Sequence, residues 1–434
     1  MNQEIVYPFY PCPACHNPLL GLVAVQPFSY SQQCVSCGFS KVSPLPKLDK
    51  KIVYIDQFGI SNMLKATKGG RSGEPFWQVL FTELDRLSKL NLIVAPASYF
   101  HEQESRMNKD YESLRVFFAT LSGGVSFLRS DDIDRFHVLQ AAKNWLAGKP
   151  DVPIVFNREE AVPNFNGWRP SEIQLINPTD NPLMGAVFRG IRRSSGQELA
   201  DLMDMRWKQQ AGLTSKQYYQ KVFDEERVAF GRVSLERAKE YWESKLALVT
   251  GLRQPTLIDK YSPPTPAWQL LSSVEELFTA EGVPGDALAS MVFKFFTGPI
   301  VANLPFNIIS AHMHAAVARK LCYGRPSQPT KSPNPSILTD ISMISTLLPY
   351  CDAILVDNFC KEILEDPAFK EQLPFKTLIF SSRDGDELLK FLKLQEERLT
   401  ETHVRNLEMV YGRDRITELT TDRNSIGQGG CEDV

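Results

Sequence analysis

Five carboxylates stand at or just beyond short apolar runs of this chain: Asp56 closes KIVYID, Glu102 and Glu104 follow NLIVAP, Asp340 lies in ILTDISMI, and Asp357 closes AILVD. A carboxylate at the end of a buried run is costly to desolvate unless something compensates it. Several such groups meeting at one edge repel one another, and divalent cations relieve that repulsion. Hard oxygen donors suit Mg²⁺ or Mn²⁺. A pair of such ions can activate a water and stabilise the leaving oxygen in phosphodiester cleavage.

The cysteines carry a second chemistry. Cys12-Pro-Ala-Cys15 and Cys34-Val-Ser-Cys37 form a C-x2-C…C-x2-C pattern. Each turn aims two thiolates at one point, and two turns complete the tetrahedron of a structural Zn²⁺ site. Pro13 stiffens the first turn, and Gly38 follows the second where a left-handed residue is useful. GLVAVQPFSYSQQ between the pairs can supply a hairpin, so the stretch resembles a zinc ribbon. A closed four-cysteine site is structural rather than catalytic. Cys322, Cys351 and Cys360 lack such spacing and read as small core residues, while Cys431 lies in a polar tail.

Other patterns are weaker. HEQES opens like an H-E-x-x-H metalloprotease helix, but Ser105 stands where the second histidine would be. His101 with Glu104, three residues apart, could still touch a metal, although a histidine packed at a helix start is the favoured reading. His312 and His314 are two apart on a helix-like segment and point different ways, which favours core or surface over a metal pair. FRGIRRSSG places Arg189, Arg192 and Arg193 in one loop, where phosphate binding competes with a plain solvated loop.

Elements must bring the carboxylates together. KIVYI, NLIVAP, AILV and TLIF read as strands, each followed by a helical stretch. The first helix after a strand run spans about 74–90, with Trp77, Leu80, Leu84 and Leu87 on one face. Further helices follow at about 359–366 and 385–396. Strands alternating with helices imply a parallel sheet covered on both faces, with ligands beyond the carboxyl ends of its strands. Asp340 falls near the start of a helix whose Ile341, Ile344, Leu347 and Leu348 can face that sheet. Between the two groups of strands, LTSKQYYQ…SKLALV is a long, charged helix, with Thr214 and Gln217 as a capping box. Such a helix reads as a solvated face, with a protein partner as the second reading. GRPSQPTKSPNPS at 324–336 is a linker, SPPTP at 262–266 a turn, and the tail beyond about 418 is expected to be disordered.

Composition narrows the class. With 434 residues, 43% hydrophobic and 23% charged, the chain is an ordinary globular protein long enough for two or three domains. A net charge of −3 gives no global basic field, although a basic groove can be offset by an acidic metal site. The most apolar region, about 291–318, is interrupted by Lys294, Pro299, Asn303, Pro305 and two histidines, which argues against a membrane span. The N-terminal MNQEIVYPFYPCPAC lacks a basic stretch followed by an apolar one, so a cytoplasmic protein is expected.

KIVYID, APASYFHEQES, LTDISMISTLLPYCDAILVDN and TLIFSSRD together resemble the PIN-like nucleases, over about 50–125 and 335–396. The resemblance implies an α/β fold: a three-layer α/β/α PIN-like core with a parallel sheet, here with a large helical insertion and an N-terminal zinc ribbon. It also implies acidic residues that hold Mg²⁺ or Mn²⁺ and cleave RNA, less often DNA. Asp56 matches the first-strand carboxylate, Asp340 the helix-start one, and Asp357 the one closing the next strand. Counting from Pro96 favours Glu102 as the glutamate, and counting from Ser98 favours Glu104. The chain departs from the family in its long separation of the glutamate from Asp340 and in ILVDN, which lacks the usual Thr or Ser before the last aspartate.

The expected organisation is a ribbon at 1–45, core segments at 46–129 and 335–400, a mainly helical insertion at 130–334, and a C-terminal helix and tail at 401–434. The expected function is a metal-dependent nuclease, RNA favoured, with a bacterial toxin or phage-defence role by analogy only. The alternative is a non-catalytic binding or scaffold protein that docks through its ribbon and helices.

Overall fold

The computed structural model describes residues 6–68, 75–106, 110–170, 212–252, 264–323, 336–370 and 375–421, with single positions 201, 205 and 254. Arg189, Arg192, Arg193, Cys431, the linker up to 335 and the tail from 422 lie outside the described residues.

Two sheets organise the chain. Strands β1 (Val6–Tyr10), β2 (Leu20–Gln26), β3 (Ser29–Cys34) and β4 (Ser40–Pro44) form an antiparallel sheet in that order. Strands β5 (Lys51–Ile55), β6 (Ile93–Val94), β7 (Ala353–Leu355) and β8 (Leu378–Phe380) form a parallel sheet in the order β6-β5-β7-β8. Strands expected on either side of the long middle therefore pair directly: Val53, Tyr54 and Ile55 register with Ala353, Ile354 and Leu355. NLIVAP yields only two strand residues. Asn91 turns the chain at φ 56°, and beyond Val94 the backbone leaves β5, so that Ala97 bridges Ser126 instead.

Side-chain alternation decides the layers, because successive strand residues point to opposite faces. Ile52, Tyr54, Ile354 and Val356 join a core containing residues of helices Ser215–Val249, Pro305–Tyr323 and Ser336–Leu347. Val53, Ile55, Ala353 and Leu355 join the core of helices Gln57–Thr67, Pro75–Lys89, Tyr111–Ser122 and Gly385–Glu396. Helices thus cover both faces of the parallel sheet.

The 35-residue helix Ser215–Val249 begins at the expected capping box of Thr214 and Gln217. Its inner face is core: Tyr218, Tyr219, Val222, Phe223 and Ala238 are buried. Gly231 is obligatory where it crosses Phe296, since an added Cβ would lie 1.9 Å from that carbonyl oxygen. The chain is ordered further than expected at its end, because helix Arg413–Thr421 buries Ile416 and Arg86 donates to the carbonyl of Leu419.

The antiparallel sheet packs on the body. Leu22, Val25, Tyr30 and Leu45 belong to the second of those cores. Tyr10 Oη donates to Met409 O at 3.0 Å, and Gly167 admits the backbone of Pro27 where a Cβ would clash. Among the described residues no single helix is long and apolar enough to cross a membrane. One pair, Gly285–Ala302 and Pro305–Tyr323, passes by length and composition only when taken together, and it bends by 61°.

Candidate metal sites

The two cysteine turns are near copies of each other. His16 N donates to Cys12 O at 2.8 Å, and Gly38 N donates to Cys34 O at 3.0 Å. Both donors sit at positive φ, 62° for His16 and 74° for Gly38. The sequence pointed to Gly38; His16 takes the same left-handed position in the first turn without a glycine. The thiols converge, with Sγ–Sγ distances of 3.6 Å for Cys12–Cys37 and 3.7 Å for Cys15–Cys34. All four Sγ atoms lie within 4.8 Å of one another. A tetrahedron with Zn–S bonds of ~2.3 Å has edges of ~3.8 Å, so the quartet fits zinc. Burial works against ionising Cys12, yet the backbone donors of Cys15 and Ala14 and the thiols of Cys37 and Cys34 outweigh it and lower its pKa.

The carboxylates assemble at the opposite kind of place, the carboxyl ends of β5 and β7. Asp56 follows β5 and caps helix Gln57–Thr67, its Oδ1 accepting from Gln57 N at 2.7 Å. Asp357 follows Val356 and caps helix Asn358–Leu364, its Oδ1 accepting from Cys360 N at 2.6 Å. Gly59 allows the first of these helices to press on the strand ends, since a Cβ there would meet Ile55 at 2.9 Å and Leu355 at 3.2 Å. Because β5 and β7 are neighbours, two aspartates remote in sequence end side by side.

Electrostatics identifies the rest of the group. Burial, then the charge of Glu104, push the Asp56 carboxyl up to about 7; the amide of Gln57 opposes this and Asp357 adds to it. The phenol of Tyr54 is raised by burial, then by Asp56, and also by Glu104. The Cys360 thiol is raised by burial and then by Asp340, Asp357 and Asp56. Asp340, Asp357 and Asp56 thus act on a buried cysteine that the sequence marked only as core, and Glu104 and Asp357 act on Asp56. Glu102 is turned elsewhere: its Oε1 accepts from Arg106 Nε at 3.1 Å and Nη2 at 2.6 Å.

No protein-family model, curated protein or solved structure matches this chain. The carboxylate donor set is hard and anionic, which fits Mg²⁺ or Mn²⁺. Its spacing is more open than that of the thiols, since among the described residues only the cysteines have all their ligand atoms within 4.8 Å.

The remaining residues fall into structural roles. His101 is buried, with Nε2 at 2.9 Å from Ile55 O and Nδ1 accepting from Ser98 N at 3.1 Å. Burial holds it down to about 3, so it stays neutral and fixes the end of β5. His312 pairs with Tyr219 Oη at 2.7 Å, and Cys322, Cys351 and Cys360 are buried as expected. Asp384, beyond β8, was not singled out from sequence. It is tied to Lys361 Nζ at 2.6 Å.

Proposed function

We propose that the chain is a metal-dependent nuclease that hydrolyses phosphodiester bonds, RNA more than DNA. The observation that carries the proposal is that Asp56 and Asp357 close two adjacent parallel strands and each caps the helix that follows, with Glu104 acting on Asp56 and Asp340 acting on Cys360 beside Asp357. Asp56 and Asp357 would hold the cation most directly, because each is fixed at a helix start. Glu104 and Asp340 would complete the oxygen shell from flanking helices. A divalent cation bound there supplies charge for an attacking water and a leaving oxygen. The protein's own part is to fix carboxylate oxygens on rigid strand ends, and to position the water and the phosphate between them. In this reading Glu104 replaces Glu102 as the glutamate of the site, and Glu102 serves as the partner of Arg106.

The cysteine quartet would hold one structural zinc. It would cap the body rather than take part in the reaction, because four thiolates leave no open position. Metal analysis of protein purified without chelators should find about one zinc per chain. Protein free of zinc would end that assignment.

Cleavage is tested with short RNA and DNA strands and the full chain. Mg²⁺ or Mn²⁺ should restore activity after EDTA. Asp357→Asn should lower the rate by orders of magnitude, roughly 10²-fold or more, while folding persists. Undiminished cleavage by Asp357→Asn would reject the site. A parent inert toward every nucleic acid with either ion would favour the binding or scaffold reading, to which the open spacing of the carboxylates lends support.

A further inference from the structure

Helix Tyr99–Arg106 has a second functional face. Glu104 belongs to the carboxylate group, whereas Glu102 and Ser105 line a cavity of about 610 Å³ on another side of the same helix. Its volume falls within the ~300–1,000 Å³ of ordinary ligand pockets. The opposite walls come from helix Tyr111–Ser122 and the segment 124–129. Tyr99 and Tyr111 offer ring surface, Phe118 and Phe127 line the cavity from buried positions, and Ser126 offers a hydroxyl. Arg115 and Arg129 stand among the lining residues; Arg115 is paired with Glu112 through Nε at 3.1 Å and Nη2 at 2.8 Å, and the Arg129 guanidinium lies over the Tyr99 ring at 5.0 Å. The ion pair of Arg129 with Asp131 is exposed and therefore weak, which leaves the guanidinium available to an anion.

Flat aromatic surface beside hydroxyls and arginines is the chemistry that receives a splayed nucleobase and the phosphate attached to it. We infer that this cavity takes one unstacked base of the substrate strand, next to the phosphate held at the carboxylates, and so sets a base preference. The inference rests on the nuclease reading above. The cavity and the carboxylates share helix Tyr99–Arg106, whose Glu102 and Ser105 line the cavity and whose Glu104 acts on Asp56. A strand lying over the carboxylates would turn a neighbouring base around that helix. Phe118 also packs against His101 at 4.2 Å, and His101 holds the end of β5, so the cavity and the carboxylates share one support.

Ala119→Phe fills the cavity from a position that touches no carboxylate of the site. Arg129→Ala removes the guanidinium and is the second variant, should Ala119→Phe fail to fold. The first measurement is binding of AMP, GMP, CMP and UMP, and of short RNAs, to the full chain in EDTA. The second is cleavage, in Mn²⁺, of RNAs randomised at the positions flanking the cut. One base should be preferred by roughly tenfold, and both binding and preference should fall by about that factor in Ala119→Phe or Arg129→Ala, a difference of ~1.4 kcal/mol. Cleavage without base preference, with binding untouched by the variants, overturns the cavity and leaves the nuclease standing. Binding that the variants abolish, in a protein that cleaves nothing, keeps the base site and removes the nuclease. A mononucleotide that binds as tightly as any RNA assigns the cavity to a free nucleotide and overturns the substrate-strand reading.

Discussion

The two aspartates that bracket β7 sit at opposite ends of one strand and live in opposite surroundings. Asp352 precedes the strand. Its carboxylate accepts from Arg158 through two bonds, at 2.9 and 3.1 Å, from Lys51 Nζ at 3.0 Å and from Ile52 N at 2.9 Å. Asp357 follows the strand, and no cation among the described residues pairs with it or with Asp56. The same strand therefore has a neutralised aspartate at its amino end and, among the described residues, one that no cation pairs with at its carboxyl end. A carboxylate given two cations and an amide holds the register of β5 against β7, while carboxylates set against one another store repulsion that a cation can relieve.

That contrast can be broken from either side. The largest expected effect on stability is at the neutralised end. Asp352→Asn leaves Arg158 and Lys51 facing an amide and should cost about 2 kcal/mol, seen as a lower urea midpoint with unchanged slope. Arg158→Ala keeps the Lys51 pair and should cost less, about 1 kcal/mol, in the same measurement. A midpoint that does not move in Asp352→Asn would remove the register role.

The carboxyl end should respond with the opposite sign. The Asp56 pKa is raised in the fold from 3.8 to about 7, so the folded state favours the neutral carboxyl. Stability from this group is present below about pH 4 and is lost as pH rises toward 7. Asp56→Asn removes that penalty. Without divalent cations it should melt above the parent at pH 8, and the gain should shrink toward pH 5. A variant that melts lower at pH 8 would mean the carboxylate is compensated after all. An effect of the same sign is expected at Asp134, whose carboxyl burial pushes up to about 8 against the hydrogen bond from Thr346. Asp134→Asn should also gain stability as pH rises from 5 to 8, in the same melting series.

Much of this arrangement was legible in the chain. Short apolar runs bounded by charged residues fixed β5, β7 and β8, and the cysteine spacing fixed the ribbon. Helix Gly385–Glu396 falls where its sequence pattern placed it. What resisted reading depends on tertiary contacts. NLIVAP is as apolar as its neighbours, but its pairing ends at Val94 because Ala97 finds Ser126 instead. Glu102 and Glu104 stand two apart on one helix, and only the placement of that helix on the sheet decides which of them meets Asp56. The long helix Ser215–Val249 looks solvated because its charges are spread around it, yet large aromatics give it a core face. The role of Cys360 was hidden for the same reason, since its three acidic neighbours come from three separate segments.

The proposed function requires a divalent cation at the carboxyl end of the sheet. Mn²⁺ titration of the zinc-loaded chain, followed by the loss of free Mn²⁺ resonance signal, tests it without relying on any substrate. The parent should bind Mn²⁺, Asp357→Asn and Glu104→Gln should bind it at least about tenfold more weakly, and Glu102→Gln should bind it as the parent does. Equal binding by the parent and Asp357→Asn, or a loss in Glu102→Gln that Glu104→Gln does not share, would contradict it.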